Sequence, residues 1–360
     1  MTGGAGFIGS HLVEHLLKTT KAEVVILDRL DETSTLHRVG ETDAYREHRA
    51  RVTMVWHDLR APFSAYVANR LGEIDTVFHL AASTHVDRSI VDPLSFAQDN
   101  VIGTINLMQW ARRQKFLDRF VYFSTDEVFG PATWPVSDDA RGLVVRSNRV
   151  DRMASTYEAW DRYRSSNPYS ASKAAGEEFA LAYHNTYALP VIITHCVNAF
   201  GERQHPEKYL PLLIRRILDG ETIFVHSNET KDVAAARWYV HARNIAAALL
   251  WLVDPNRHRL PDGSWASDPR PQPGSKINLG GQVELAADAL AQRVGLILDK
   301  APKLQRVAFH ASRPGHDMRY ALVDDLERNG FQYPVAFDES LERTVNWYRT
   351  NPQWLVGGDA

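Results

Sequence analysis

A chain of 360 residues with a hydrophobic fraction of 44%, a charged fraction of 24% and a net charge of -3 can bury one large α/β domain or two lobes. Its charge balance excludes an electrostatic case for nucleic acid, which needs clustered Lys and Arg, and no apolar run approaches the ~20 residues of a membrane helix. Single Cys196 excludes an intramolecular disulfide or a cysteine zinc site. It ends the strand-like run Val191 to Cys196 and reads as a buried, inert thiol, and with no signal segment at the start a reducing cytoplasm is the expected compartment.

The chain opens on Thr2-Gly3-Gly4-Ala5-Gly6-Phe7-Ile8-Gly9, followed by Ser10 to Leu17 with helical apolar spacing. Gly4, Gly6 and Gly9 fit G-x-G-x-x-G, and Gly3, Gly6 and Gly9 fit the related G-x-x-G-x-x-G. Glycines permit a tight turn and close approach of backbone to a pyrophosphate, which the helix amino terminus then receives. A dinucleotide-binding unit also needs a strand before this loop, and only Met1 precedes Thr2. The natural protein is therefore expected to start several residues upstream, or another segment is expected to fill the slot.

Glu23 to Leu27 is a second strand ending at Asp28, at the distance where an acid bonds the ribose hydroxyls and favours NAD over NADP. Arg29 weakens that preference, and a plain strand-end turn is the alternative for Asp28. Val52 to Asp58 makes a third strand, with Asp58 placed to reach the adenine edge. Ile74 to Leu80 makes a fourth, after which Ala81-Ala82-Ser83 would let a cofactor lie against the backbone. Leu94 to Arg113 reads as one long helix in which Asn100 and Asn106 are solvated.

The strand Arg119 to Phe123 delivers Ser124-Thr125-Asp126-Glu127 to its carboxyl end, where ligands sit in open α/β sheets. For both acids to serve one substrate the chain must turn or coil at about Thr125, since strand alternation would part them. A Ser/Thr/Asp turn capping the next helix explains the same residues. Pro131 to Asn167 reads as a long excursion over the site. After Pro168, Tyr169 and Lys173 share one face of a strong helix, and the ammonium favours the phenolate; as a lone pair they would pass for surface decoration. Pro211 to Leu218, Ala242 to Leu252 and Ala286 to Leu298 read as helices, and Pro255 to Ser275 as a surface loop.

Together, Thr2 to Gly9, Thr125 and Tyr169-x-x-x-Lys173 resemble the extended short-chain dehydrogenase/reductase superfamily. Ser124-Thr125-Asp126-Glu127-Val128-Phe129-Gly130 is similar to the signature of its nucleotide-sugar 4,6-dehydratases. Further blocks agree: Thr84 to Ser89, Pro206 to Lys208, Ile277 to Gly281, Arg313 to Tyr320 and Thr344 to Tyr348. The resemblance implies an α/β fold, a doubly wound parallel sheet of Rossmann type with a smaller α/β substrate-binding lobe. It implies an NAD-binding domain over 1-196 and a mainly substrate lobe over 197-360, with chain crossovers between them.

The resemblance also implies bound NAD, a nucleotide-sugar substrate and a homodimer paired through a helical bundle. Tyr169, with Thr125 and Lys173, would take the C4 hydroxyl proton as a hydride leaves C4 for NAD. Glu127 would remove the C5 proton, protonated Asp126 would donate to the departing C6 hydroxyl, and the hydride would return to C6. The cofactor would lie on Gly3, Gly6, Phe7, Ile8, Gly9, Asp28, Asp58, Leu59, Leu80, Ala81 and Ala82, besides Tyr169 and Lys173. Arg313, His316, Asn198, His85, Arg88, Lys208 and Asn278 would hold the substrate. Ser83 stands where the family has Glu, Ala199 where it has Asn, and Ala235-Ala236 where it has Arg-Asp. Arg237 or Arg243 is the expected substitute for that arginine, and dTDP, UDP or another nucleotide stays open. Competing readings are a 4-epimerase or glucuronate decarboxylase of the same superfamily, or a catalytically silent dinucleotide-binding scaffold.

Overall fold

The structure, a computed structural model, describes residues 1–134, 141–146, 149–254, 270–308 and 316–356, with the side chains of 141–146 and 149–153 left aside. Arg313 and most of the 255–275 stretch lie outside the described residues.

The first sheet is parallel. Strands β1 (Val24–Asp28) and β2 (Val52–Trp56) pair together, and β3 (Thr76–His79), β4 (Arg119–Thr125), β7 (Val191–Cys196) and β11 (Lys276–Leu279) form a second run in the order β11-β7-β4-β3. Thr2 joins the two runs, bridging Leu27 on one side and His79 on the other. Its amide donates to Phe78 O at 2.9 Å, and Leu27 N donates to Met1 O at 2.8 Å. The slot that the glycine loop requires is thus taken, over this short length, by Met1 and Thr2. Phe120, Val121 and Tyr122 of β4 are buried on both faces, because β4 lies between two parallel partners, and Phe123 is half-buried at the crevice.

Helix α1 (Phe7–Thr19) buries Leu12, Val13, Leu16 and Leu17 in one cluster with Ile245, Ala246 and Leu249 of α5 (Ala242–Val253). Each such side chain contributes about 1.5–3 kcal/mol by leaving water, and truncating Leu12 to alanine costs about 2–5 kcal/mol. The predicted long helix is broken in its hydrogen bonding: Pro93–Ala97, a wider π turn over Gln98–Ile102, then α2 (Gly103–Ala111). That turn carries Asp99 into the crevice and Asn100 against Ser83 behind it. Helix α3 (Pro168–Tyr187) starts on Asn167, whose Oδ1 accepts from Ser170 N at 2.8 Å while Ser170 Oγ accepts from Asn167 N at 3.3 Å. Proline at its first position needs no amide partner, and Ala188 ends it in the left-handed conformation.

Residues beyond β7 build a second layer group: β8 (Asn198–Phe200), β10 (Ala236–His241) and β12 (Val283–Ala286) in one sheet, and β9 (Thr222–Ser227) beside β13 (Lys303–Ala308). Helices α4 (Tyr209–Asp219), α6 (Ala287–Leu298) and α7 (Phe337–Thr350) close its core around Ile214, Val294 and Val345. Within the excursion, β5 (Arg141–Arg146) and β6 (Arg149–Ala154) make an antiparallel hairpin. The chain returns to the first sheet at β11, so sequence order and spatial grouping part company there.

Candidate active site

At the end of β4, Thr125 is still extended and Asp126–Phe129 at once forms a single 3-10 turn. The turn is what brings two successive acids to one side, as the reading of the strand end required. Asp126 is buried, its Oδ1 accepts from the Thr125 hydroxyl at 3.2 Å, and its Oδ2 has no partner among the described residues. Burial, then the neighbouring Glu127 charge, pushes the Asp126 carboxyl up to about 7. Glu127 is also raised by burial, with Asn167 opposing through its Nδ2, which donates to Glu127 Oε2 at 3.0 Å. Asn167 therefore caps the helix that carries the tyrosine and holds the second acid at the same time.

Tyr169 and Lys173 are both buried and line the same crevice. Burial, then Glu127, pushes the Tyr169 phenol up, and a hydrogen bond with Thr125 pulls the other way. Burial brings the Lys173 ammonium down to about 7, against the opposing charge of Glu177. The lysine Nζ also sits 4.3 Å from the ring centroid of Tyr122. Glu177 is fully buried, accepting from Ser124 Oγ and Tyr163 Oη and lying 2.9 Å from His195 Nε2. Cys196 is buried with its thiol pushed up, as expected of an inert residue.

The crevice encloses about 1120 Å³ and is lined by the glycine loop, by Asp28, Asp58, Leu59 and Leu80 to Ala82, and by the acids and Tyr169. Whether it fits a dinucleotide is answered by the loop. Gly3 has φ +68°, and a Cβ there would lie 2.7 Å from Ala81 N; a Cβ on Gly9 would lie 2.1 Å from Gly3 O. Phe7, Ile8 and Gly9 face the crevice from the first turn of α1, which has no side-chain cap, so its amides are offered to an anion. Asp28 accepts from Ala5 N at 3.1 Å, Leu30 N at 3.0 Å and Ser34 Oγ at 3.0 Å. A carboxylate offers about four lone-pair sites, so one hydroxyl can still be received. Asp58 reaches the crevice but is engaged with Arg60.

The mouth of the crevice is built from ion pairs. Arg88 pairs with Glu32 and with both oxygens of Glu207, at 3.1 and 3.0 Å. His85 Nε2 lies 3.7 Å from Glu207, and Lys208 Nζ donates to Thr84 O at 3.3 Å. His316 Nε2 lies 2.9 Å from Asp87 Oδ1. Asn198 lines the crevice from β8. Arg237 lines it too, donating to Ala236 O and Met318 O at 2.8 and 2.9 Å and stacking over Tyr320. Arg243 is turned toward Glu202 at 3.7 Å and does not line the crevice.

Two expectations need correction. Asn278 is fully buried on the sheet, 2.9 Å from His195 and donating to Tyr157 O at 3.0 Å, and it is not part of the crevice wall. Asn100 is buried rather than solvated: its Oδ1 accepts from Ser83 N at 2.9 Å, and its Nδ2 donates to Ser83 O and Ser172 Oγ. Asn106 donates to Leu59 O and Arg60 O. The residue in the place of the family's glutamate, Ser83, is thereby fixed to the π turn. Asn100, Asp99 and Glu177 gave no sequence signal. Asn167 gave one, since Asn before Pro is a helix-start pattern.

A glycine-loop crevice facing a buried Tyr-x-x-x-Lys pair defines a nicotinamide-dinucleotide site of the short-chain dehydrogenase/reductase class. The chain belongs to the NAD dependent epimerase/dehydratase family, whose model matches residues 1–263. It is 31% identical over 373 residues to the dTDP-glucose 4,6-dehydratase of Salmonella typhimurium, covering 99% of this chain and 93% of that one. It is 35% identical over 373 residues to a probable dTDP-glucose 4,6-dehydratase of Sinorhizobium fredii, covering 98% and 93%. Among solved structures it is similar to the dTDP-glucose 4,6-dehydratase DesIV of Streptomyces venezuelae with NAD bound, with a TM-score of 0.78, 32% identity and coverage of 98% and 97%.

Proposed function

We propose that this protein is an NAD-dependent nucleotide-hexose 4,6-dehydratase acting on a dTDP-glucose type substrate, yielding a 4-keto-6-deoxy sugar. The observation that carries the reading is the adjacent pair of buried Asp126 and half-buried Glu127, lining one crevice with Tyr169, with one carboxyl raised to about 7. Neither a 4-epimerase nor a decarboxylase expels a C6 hydroxyl, so neither has use for such a pair. NAD, when bound, supplies reversible two-electron chemistry, so no outside reductant is needed.

Tyr169 takes the C4 hydroxyl proton, with Thr125 bonded to its oxygen and Lys173, one turn on in the same helix, as the cation that would stabilise the phenolate. Burial and Glu127 raise the phenol, so the transfer draws on cationic charge beside it, which Lys173 and the nicotinamide ring would supply. Oxidation at C4 acidifies the C5 proton, which Glu127 removes. Asp126 holds its proton near neutrality and passes it to the C6 oxygen as water leaves. Arg237, Asn198 and His316 on the opposite wall suit the pyrophosphate, Arg237 standing in for the arginine this chain lacks. Incubation with a panel of nucleotide hexoses, read by mass, tests the reading: loss of water with alkaline ultraviolet absorbance is expected. An unchanged mass with inverted C4 would replace it with the epimerase reading.

The helices at the back of this site carry exposed apolar side chains, Leu94 (66%), Ile102 (46%), Phe179 (41%) and Tyr187 (47%). They support a homodimer formed through a helical bundle, and light scattering at the expected dimer mass checks it. A reducing cytoplasm suits the one buried thiol.

A further inference from the structure

The NAD reading leaves Arg29 unexplained. It follows the strand-end Asp28, and an arginine near that place is the group that receives the 2′-phosphate of NADP. Here all three guanidinium nitrogens are already engaged. Nε donates to Asp31 Oδ2 at 2.7 Å, Nη1 to Asp99 Oδ1 at 2.7 Å and Nη2 to Asp99 Oδ2 at 3.0 Å. The two contacts to Asp99 form a parallel fork, the strongest geometry this pair can adopt.

Asp99 reaches Arg29 from the π turn, 70 positions along the chain, and its side chain is 9% exposed. It also accepts from Ser83 Oγ at 2.6 Å and lies 3.7 Å from Arg60 Nε. Arg60 is itself held by both oxygens of Asp58. Three carboxylates, of Asp31, Asp58 and Asp99, therefore hold two guanidinium groups, and Asp28 lines the same end of the crevice, where the adenosine ribose would lie. A 2′-phosphate would enter a field that is already net negative. To receive it, Arg29 would have to leave a partly buried fork and give up both of its contacts with Asp99, which is costly.

We propose that Asp99 sets the cofactor choice of this chain, by holding Arg29 so that NAD is taken and NADP refused. The inference rests on the reading that the crevice holds a nicotinamide dinucleotide, and it assigns the discrimination to a residue outside the glycine loop and the strand end. A merely structural Arg29–Asp99 tie would move the binding of both dinucleotides together.

The test is titration of the full chain with NAD⁺ and NADP⁺ by tryptophan fluorescence and calorimetry, for wild type, Asp99→Asn, Asp99→Ser and Asp99→Asn with Arg29→Ala. Freed Arg29 should tighten NADP⁺ in Asp99→Asn about tenfold or more, the worth of a charge-assisted hydrogen bond, with NAD⁺ changed far less. The second substitution at Arg29 should abolish the gain. Asp99→Ser supplies the same comparison if the asparagine variant does not fold. An unchanged NADP⁺ to NAD⁺ ratio in a folded Asp99 variant, or a gain that survives Arg29→Ala, overturns the proposal. Wild-type protein that binds neither dinucleotide overturns the cofactor reading beneath it and the proposal with it.

Discussion

The two ends of the crevice are built on opposite electrostatic plans. At the inner end Asp126, Tyr169 and Lys173 are buried, Glu127 is half-buried, and their protonation is shifted by burial and by neighbouring charges. At the mouth Arg88, His85, Lys208 and His316 are part-exposed and paired with groups of opposite sign or with backbone oxygens. Desolvation makes the inner groups poor at their ordinary protonation states and ready to exchange protons with a substrate. Pairing makes the outer groups cheap to rearrange when a charged ligand arrives. The comparison teaches that reaction type is written at one end and ligand choice at the other.

Several measurements can break that division. Tyr169→Phe removes the proposed first proton acceptor and should lower kcat about 10³-fold, within the range for general base loss. Asp126→Asn should slow water loss about 10²-fold while C4 oxidation continues, so reduced cofactor accumulates in stopped-flow absorbance; normal elimination would sink the acid assignment. The wild-type elimination rate should fall as pH rises through about 7, where Asp126 loses its proton, and the asparagine variant should lose that limb.

The same group has a stability signature. Its folded pKa is raised, so its contribution is full below its ordinary 3.8 and lost as pH rises through about 7. Asp126→Asn should therefore raise Tm at pH 8 and not at pH 4. Arg237→Ala should raise KM about tenfold at little cost in kcat, the pattern of a lost phosphate contact. Smallest of all, Arg88→Ala should change KM by no more than about threefold, because its pairs with Glu32 and Glu207 are exposed. A large kcat effect there would blur the line between the two ends.

Much of this was readable along the chain where cause and effect are neighbours. The glycine loop, β4 with its four polar residues, and the Tyr169–Lys173 face are local patterns of period and spacing, and the structure brings them to one crevice. What escaped the reading depends on partners far apart. Asn100 meets Ser172 across 72 positions, and Glu177 meets Ser124 across 53. A π turn inside an apolar helix leaves no mark on composition, so Asn100 read as solvated. Asn278 erred the other way: its block matched a family pattern, but β11 turns its side chain toward His195 and away from the crevice.

The carboxamide of Asn167 closes the first turn of α3 with its oxygen and steadies Glu127 with its nitrogen. Fraying at that helix start would therefore loosen Glu127 and swing Tyr169, two residues on, in a single motion. The machine would idle before the domain melts, and warming should silence turnover reversibly at temperatures where the far-ultraviolet circular dichroism is still native.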